Sequence, residues 1–177
     1  MSRFRDPRAW LLAISALIIG VDRYTKHWVS QHIAEGNVIV VIQHFFAISH
    51  VQNPGAAFSM FSDSPNPDRT RWMLTIFSLV AAIVVLVILL RIGRRLSLAA
   101  VSLALILGGA IGNAWDRIAY GTVVDFLQVH IVHYHWPDFN VADSSIVIGG
   151  ILLLIDSLRP RKQEQSETPV ANPDTEA

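Results

Sequence analysis

From Trp72 to Leu90 the chain carries no charged residue, and this run constrains the fold more than any other feature. At 1.5 Å of rise per residue, a helix over it is long enough to cross about 30 Å of bilayer hydrocarbon. A helix that is apolar on every side needs either a deep protein core or lipid around it. Three further apolar runs, over about residues 9–28, 96–115 and 141–158, make the lipid reading the consistent one. Charged residues are accordingly only 16% of the chain, against about a quarter in a soluble domain. The expected fold is a membrane all-α protein with four transmembrane helices in a single domain over residues 1–162. The fourth run is the shortest and contains Asp143 and Asp156. The first follows Arg3, Arg5 and Arg8 as a secretory segment would, but no small-x-small cleavage site follows it closely, so it is expected to be retained as a span.

Arginine placement sets the direction. Arg3, Arg5 and Arg8 precede the first run, Arg91, Arg94 and Arg95 join the second to the third, and Arg159, Arg161 and Lys162 follow the fourth. These are nine of the fourteen basic residues. Basic residues flanking spans stay on the cytoplasmic side, so both termini and the Arg91–Arg95 loop are expected there. The two longer connections then face outward. In the first, Glu35-Gly36-Asn37 is a turn signal, and the β-branched and aromatic runs Val38–Ile42 and Phe45–Val51 predict a small antiparallel sheet on the membrane surface, within an outer β region of about residues 36–61. Residues 62–68 read as a Pro/Asn/Asp/Ser loop. The second connection, about residues 117–140, is expected to be an outer loop with a short helix or a lid-like segment. Residues 163–177 lack apolar periodicity and are expected to be a disordered cytoplasmic tail.

This topology gathers polar groups at one level. Asp22 and Lys26 end the first span, Asn113, Asp116 and Arg117 end the third, and Asn140 and Asp143 open the fourth, with Asn53 and Asp125 in the outer segments. Ionisable groups at that depth are costly unless paired, which makes them functional candidates. Asp22 and Lys26, spaced i, i+4, are expected to form an intrahelical ion pair. Asp116 and Arg117 point different ways, and Arg117 is expected to brace another element by pairing with a carboxylate there. Asp156 lies at the opposite end, near Arg159. Asp125, in Val123-Val124-Asp125-Phe126, and Asp143, in Phe139-Asn140-Val141-Ala142-Asp143, have no neighbouring cation in sequence. Two such carboxylates in one partly dry site cannot both ionise easily, which leaves an acid and a base for peptide hydrolysis. The alternative is two unrelated structural acids.

Other features are less specific. Gly108 and Gly112 form a GxxxG pair suited to close helix packing. Asn53-Pro54-Gly55 offers a side-chain amide to a substrate or is an Asn-capped turn. His130, His133 and His135 lack the spacing of a helical zinc pair, and no metal is expected. With no cysteine there is neither a thiol nucleophile nor a disulfide, and a net charge of zero argues against nucleic acid. A small ion transporter would place acids nearer mid-bilayer and often shows inverted repeats, of which the chain has none. A non-catalytic scaffold leaves Asp125 and Asp143 without a purpose.

Five blocks occur in an order that resembles the lipoprotein signal peptidases (signal peptidase II). They are Asp22 with Lys26, residues 53–58 (Asn-Pro-Gly-Ala-Ala-Phe), residues 108–117 ending in Asn113-Ala114-Trp115-Asp116-Arg117, residues 123–126, and residues 139–144. The resemblance covers about residues 9–158. It implies an aspartyl endopeptidase of the bacterial plasma (inner) membrane, active near the outer, periplasmic face and needing no cofactor. Such an enzyme removes the signal peptide of a prolipoprotein by cutting before a cysteine that carries diacylglycerol, and it is inhibited by globomycin. The resemblance further implies Asp125 and Asp143 as the catalytic dyad, with Asp22, Lys26, Asn53, Gly108, Asn113, Arg117 and Asn140 binding substrate or supporting the site, among membrane lipid. Arg23 stands where the family usually has Gln, and Pro54 where Thr is common.

Overall fold

The computed structural model describes residues 6–55, 66–132 and 134–159. Among them lie four helices and four strands: α1 (Arg8–His32), β1 (Val38–Ile42), β2 (Phe46–Asn53), α2 (Pro67–Ile92), α3 (Leu98–Ala119), β3 (Val123–Ile131), β4 (Tyr134–Phe139) and α4 (Val141–Ser157). The protein is thus mostly helical, with one small antiparallel sheet. The segments 56–65 and 160–177, with the expected tail, lie outside the described residues.

The helices start where local chemistry allows. Pro67 opens α2, where its missing N–H is no loss. Ser97 caps α3 by accepting from the Ala100 N–H at 3.2 Å. Asn140 and Asp143 form a reciprocal capping box at the head of α4. Two helical stretches, Asp68–Ile92 and Leu98–Ala119, are long and apolar enough to cross a membrane. The apolar run of α1 is interrupted by Asp22, Arg23 and Lys26, and α4 has only 17 residues.

Helix α3 is the hub, packing against α1, α2 and α4. Its buried stripe of Ala100, Leu103, Ala104 and Leu107 meets Leu11 of α1 and Ala82 and Leu89 of α2. Small residues bring the axes close. A methyl on Gly108 would meet Ile18 Cβ at 2.8 Å and the Ser15 carbonyl at 2.9 Å, so α1 seats directly against it. By contrast α2 exposes most of its apolar surface, including Phe77, Val80 and Ile83. Leaving such area in water costs about 25 cal/mol per Å². A lipid environment removes that cost.

The sheet has the order β1-β2-β3-β4, antiparallel throughout. Gly36, at φ +80°, makes the turn into β1, and its N–H reaches the His50 carbonyl at 2.9 Å. The sheet rests on the C-terminal end of α1, where Val29 and Ile33 pack against Phe126. Residues 123–131 and 134–139 are strands, where a short helix or a lid-like segment was expected. They form the hairpin β3–β4, which completes the sheet begun by β1 and β2. Val123, Val124, Val129 and Ile131 are β-branched and fit a pleated surface better than a helix. Ladder bonds to β2, pairing Asn53 with Val123 and Ala47 with Gln128, fix the register.

Candidate active site

Strand β3 delivers Asp125 from the sheet, and the first turn of α4 delivers Asp143. The Asp125 side chain is buried, and each of its oxygens receives an amide. Asn53 Nδ2 at the end of β2 donates to Oδ2 at 2.8 Å, and Asn140 Nδ2 donates to Oδ1 at 2.7 Å. Asp143 Oδ1 accepts from Asn113 Nδ2 of α3 at 2.8 Å, and Oδ2 accepts the Asn140 backbone N–H at 3.3 Å. Asn140 Oδ1 in turn accepts the Asp143 N–H at 2.9 Å. One asparagine therefore spans both carboxylates while capping the helix that carries the second.

Both acids line one cavity of about 460 Å³, with walls that are mostly apolar, Trp136 and Phe139 from β4 and Ile146 and Val147 from α4 among them. Burial in this setting, reinforced by the negative charge of Asp143, raises the Asp125 pKa from 3.8 to about 7; the amides of Asn53 and Asn140 and the charge of Lys26 oppose the rise. Asp125 thus holds a proton through mildly acid pH.

Beneath the pair lies a buried ionic layer. Lys26 Nζ is 2.7 Å from Asp22 Oδ2, 2.7 Å from Asp116 Oδ2 and 3.1 Å from Asn113 Oδ1. An ammonium has three protons, and three acceptors surround it. Asn113 thereby passes the position of Lys26 on to Asp143. Asp22 also accepts the Ala142 N–H at 2.9 Å, locking the start of α4 to α1. Gly112 makes room for this carboxylate, since a methyl there would stand 2.9 Å from Asp22 Oδ2. Arg23 forms a second ion pair with Asp116, and its guanidinium donates to the Tyr120 hydroxyl at 3.0 Å.

Most of the residues singled out from sequence converge. Asp22, Lys26, Asn53, Asn113 and Asn140 surround Asp125 and Asp143 through the contacts above. Arg117 differs from expectation: its hydrogen bonds go to carbonyls, Gly55 O at 2.9 Å and Asn113 O at 3.3 Å, rather than to a carboxylate. It ties the chain after β2 to α3, so its bracing role stands on different partners. Gly108 packs α1 and does not touch the dyad. Residues 56–58 of the second block, and His133, lie outside the described residues. His130 and His135 stack across β3 and β4 with ring centres 4.7 Å apart. Two participants escaped the sequence reading. Arg71 Nε and Nη2 cap α3 at the Arg117 and Ile118 carbonyls, 2.7 and 3.0 Å away. Asp138 reaches the cavity wall.

Known proteins match this arrangement over nearly its whole length. A sequence model of the family described as signal peptidase (SPase) II matches residues 14–159. The lipoprotein signal peptidase of Solibacter usitatus (strain Ellin6076) is 43% identical over 159 residues, covering 89% of this chain and 96% of that protein. The lipoprotein signal peptidase of Pseudomonas putida (strain KT2440) is 41% identical over 157 residues, covering 88% and 90%. A bacterial membrane enzyme solved by the in meso method at 2.3 Å resolution superposes with a TM-score of 0.75 at 30% identity, over 88% of this chain and 94% of that one.

Proposed function

This chain belongs to the signal peptidase II family, whose members cleave signal peptides from prolipoproteins, and we propose that it does so with Asp125 and Asp143 as its catalytic dyad. The observation that carries the assignment is two carboxylates in one largely apolar cavity, joined through Asn140, with one of them held protonated near neutral pH. Asp143 takes a proton from water as its oxygen attacks the scissile carbonyl. Asp125 gives its proton to the departing nitrogen, and the C–N bond breaks. The products are a signal peptide ending in a carboxylate and a lipoprotein with a free α-amine on its first residue. The turnover ends with the proton from water on Asp143, and its return to Asp125, directly or through solvent, restores the starting state.

The proposed substrate is a prolipoprotein whose cysteine carries diacylglycerol, cut just before that cysteine. The cavity walls of Trp136, Phe139, Ile146 and Val147 favour an acyl chain and an apolar signal helix arriving from lipid. Globomycin-type cyclic peptides are proposed to fill the same cavity. The helices α1 to α4 are proposed to be four spans of one domain with both termini cytoplasmic. Arg8 at the head of α1 reaches the Leu90 carbonyl near the foot of α2, so Arg8, Arg91, Arg94 and Arg95 share one end of the bundle. The dyad belongs to the other end, at the outer face. Mass spectrometry of the products from a lipidated prolipoprotein tests the reading. Cleavage before the modified cysteine, with the unlipidated precursor resisting, is expected; cleavage elsewhere or equal turnover of both precursors contradicts it.

A further inference from the structure

We propose that Asp138 is a positioning residue that sets the β4 wall of the substrate cavity and through it the affinity for substrate. The proposal rests on Asp125 and Asp143 marking the reacting centre.

The pairing of β3 with β4 is irregular where β4 passes the cavity. Leu127 faces Phe139 and Val129 faces Trp136, so Pro137 and Asp138 together oppose the single residue Gln128. Such a two-against-one bulge interrupts the ladder. Pro137 brings no N–H to repair it. Yet this stretch, Trp136 to Phe139, is the wall that stands over the two acids. A weakly paired edge strand would leave that wall poorly defined.

The Asp138 side chain supplies what the backbone does not. Its Oδ2 accepts from Ser49 Oγ of β2 at 2.8 Å, its Oδ1 accepts from Gln128 Nε2 of β3 at 3.2 Å, and His135 Nε2 of β4 lies 3.3 Å from the same oxygen. Three strands are joined at one carboxylate. The bond to Ser49 also crosses β3, because β2 and β4 are not neighbours in the sheet. It draws the edge strand over the sheet face, with a buried serine as the anchor. Charge-assisted bonds of this kind are stronger than neutral ones and fix geometry.

The test uses the full-length enzyme in lipid bilayers with a diacylated prolipoprotein. Asp138→Ala is expected to raise KM about fivefold to tenfold with kcat within about twofold, because the wall loosens while the dyad is untouched. Asp138→Asn, which retains one acceptor oxygen, is expected to recover most of that affinity. Ser49→Ala removes only the anchor and is expected to raise KM about twofold to threefold, which gives a second reading if Asp138→Ala folds poorly. Backbone amides of residues 134–139 in the resting protein should exchange faster in Asp138→Ala and Ser49→Ala than in Asp138→Asn. Unchanged KM in both Asp138→Ala and Ser49→Ala, or a loss confined to kcat, overturns the proposal. Retained cleavage in an Asp125 or Asp143 variant would instead overturn the dyad, and the exchange measurement, made without turnover, keeps the two failures apart.

Discussion

Asn140 donates its side-chain amide to Asp125 at 2.7 Å. The other atom of that amide group, Oδ1, accepts the backbone N–H of Asp143 at 2.9 Å, so a single planar group fixes the sheet-borne acid relative to the helix-borne one. Two elements that meet only through tertiary structure thus acquire a defined separation at their acids.

Replacing Asn140 with Ala should therefore damage activity more than stability. Loss of the helix cap costs about 1 kcal/mol. Release of both acids is expected to lower kcat about 10-fold to 100-fold, since misplaced catalytic groups lose much of their effect. Thermal unfolding in detergent and single-turnover cleavage, compared on one preparation, measure the two terms. A large fall in melting temperature with kcat preserved would show the residue to be a cap alone.

The pH dependence follows from the proton on Asp125. Its pKa is raised to about 7, so the protonated form prevails below that value. As the pH rises above about 7 the general acid is lost, and kcat/KM should fall about tenfold per unit. Asn53→Ala removes a bond that favours the ionised form, so the alkaline limb should move to higher pH. The same shift has a sign for stability: a carboxyl whose folded pKa exceeds its unfolded value loses stabilising influence as the pH rises through about 7. Asp125→Asn should consequently gain melting temperature relative to the parent at pH 8, and more than it does at pH 5. A kcat/KM that stays flat from pH 6 to pH 9 would contradict the protonation assignment.

Lys26 is surrounded by Asp22, Asp116 and Asn113. Lys26→Met should leave the buried Asp22 without a cation and Asp116 with Arg23 alone, and destabilise the fold by about 3–5 kcal/mol. Lower yield of folded protein and a lower unfolding temperature are the readouts. Wild-type stability in this variant would mean that the ionic layer is solvated rather than buried.

Glycine substitutions separate close packing from mere helix propensity. Gly112→Ala places a methyl 2.9 Å from Asp22 Oδ2, whereas Gly150 has nothing within 4 Å of where a Cβ would stand. Gly112→Ala should lower the unfolding temperature and activity together. Gly150→Ala should be neutral or stabilising by up to about 1 kcal/mol. Equal responses from the two would remove the packing argument for α3 against α1.

Much of this was legible in the sequence because lipid enforces simple patterns. An uncharged run such as Trp72–Leu90 has few alternatives, and an uncompensated acid such as Asp125 stands out in Val123-Val124-Asp125-Phe126. The pairing of Asp22 with Lys26 was visible because helix spacing alone brings the two together. The hairpin β3–β4 was not, since its polar and aromatic residues satisfy no strict alternation and its register depends on β2. Arg117 was misassigned in its partners for a related reason: carbonyl acceptors have no signature in side-chain identity. Asp138 went unnoticed although it too is an acid among apolar neighbours, because its partners Ser49 and Gln128 are set by strand order.

The most direct measurement is cleavage of a diacylated prolipoprotein by Asp125→Asn and Asp143→Asn, each purified in folded form and assayed in lipid at pH 6.5. Each variant is expected to bind substrate with a KM near that of the parent and to lose at least about 10³-fold in kcat, the contribution typical of positioned acid and base groups. Processing at the parental rate by either variant would contradict the dyad.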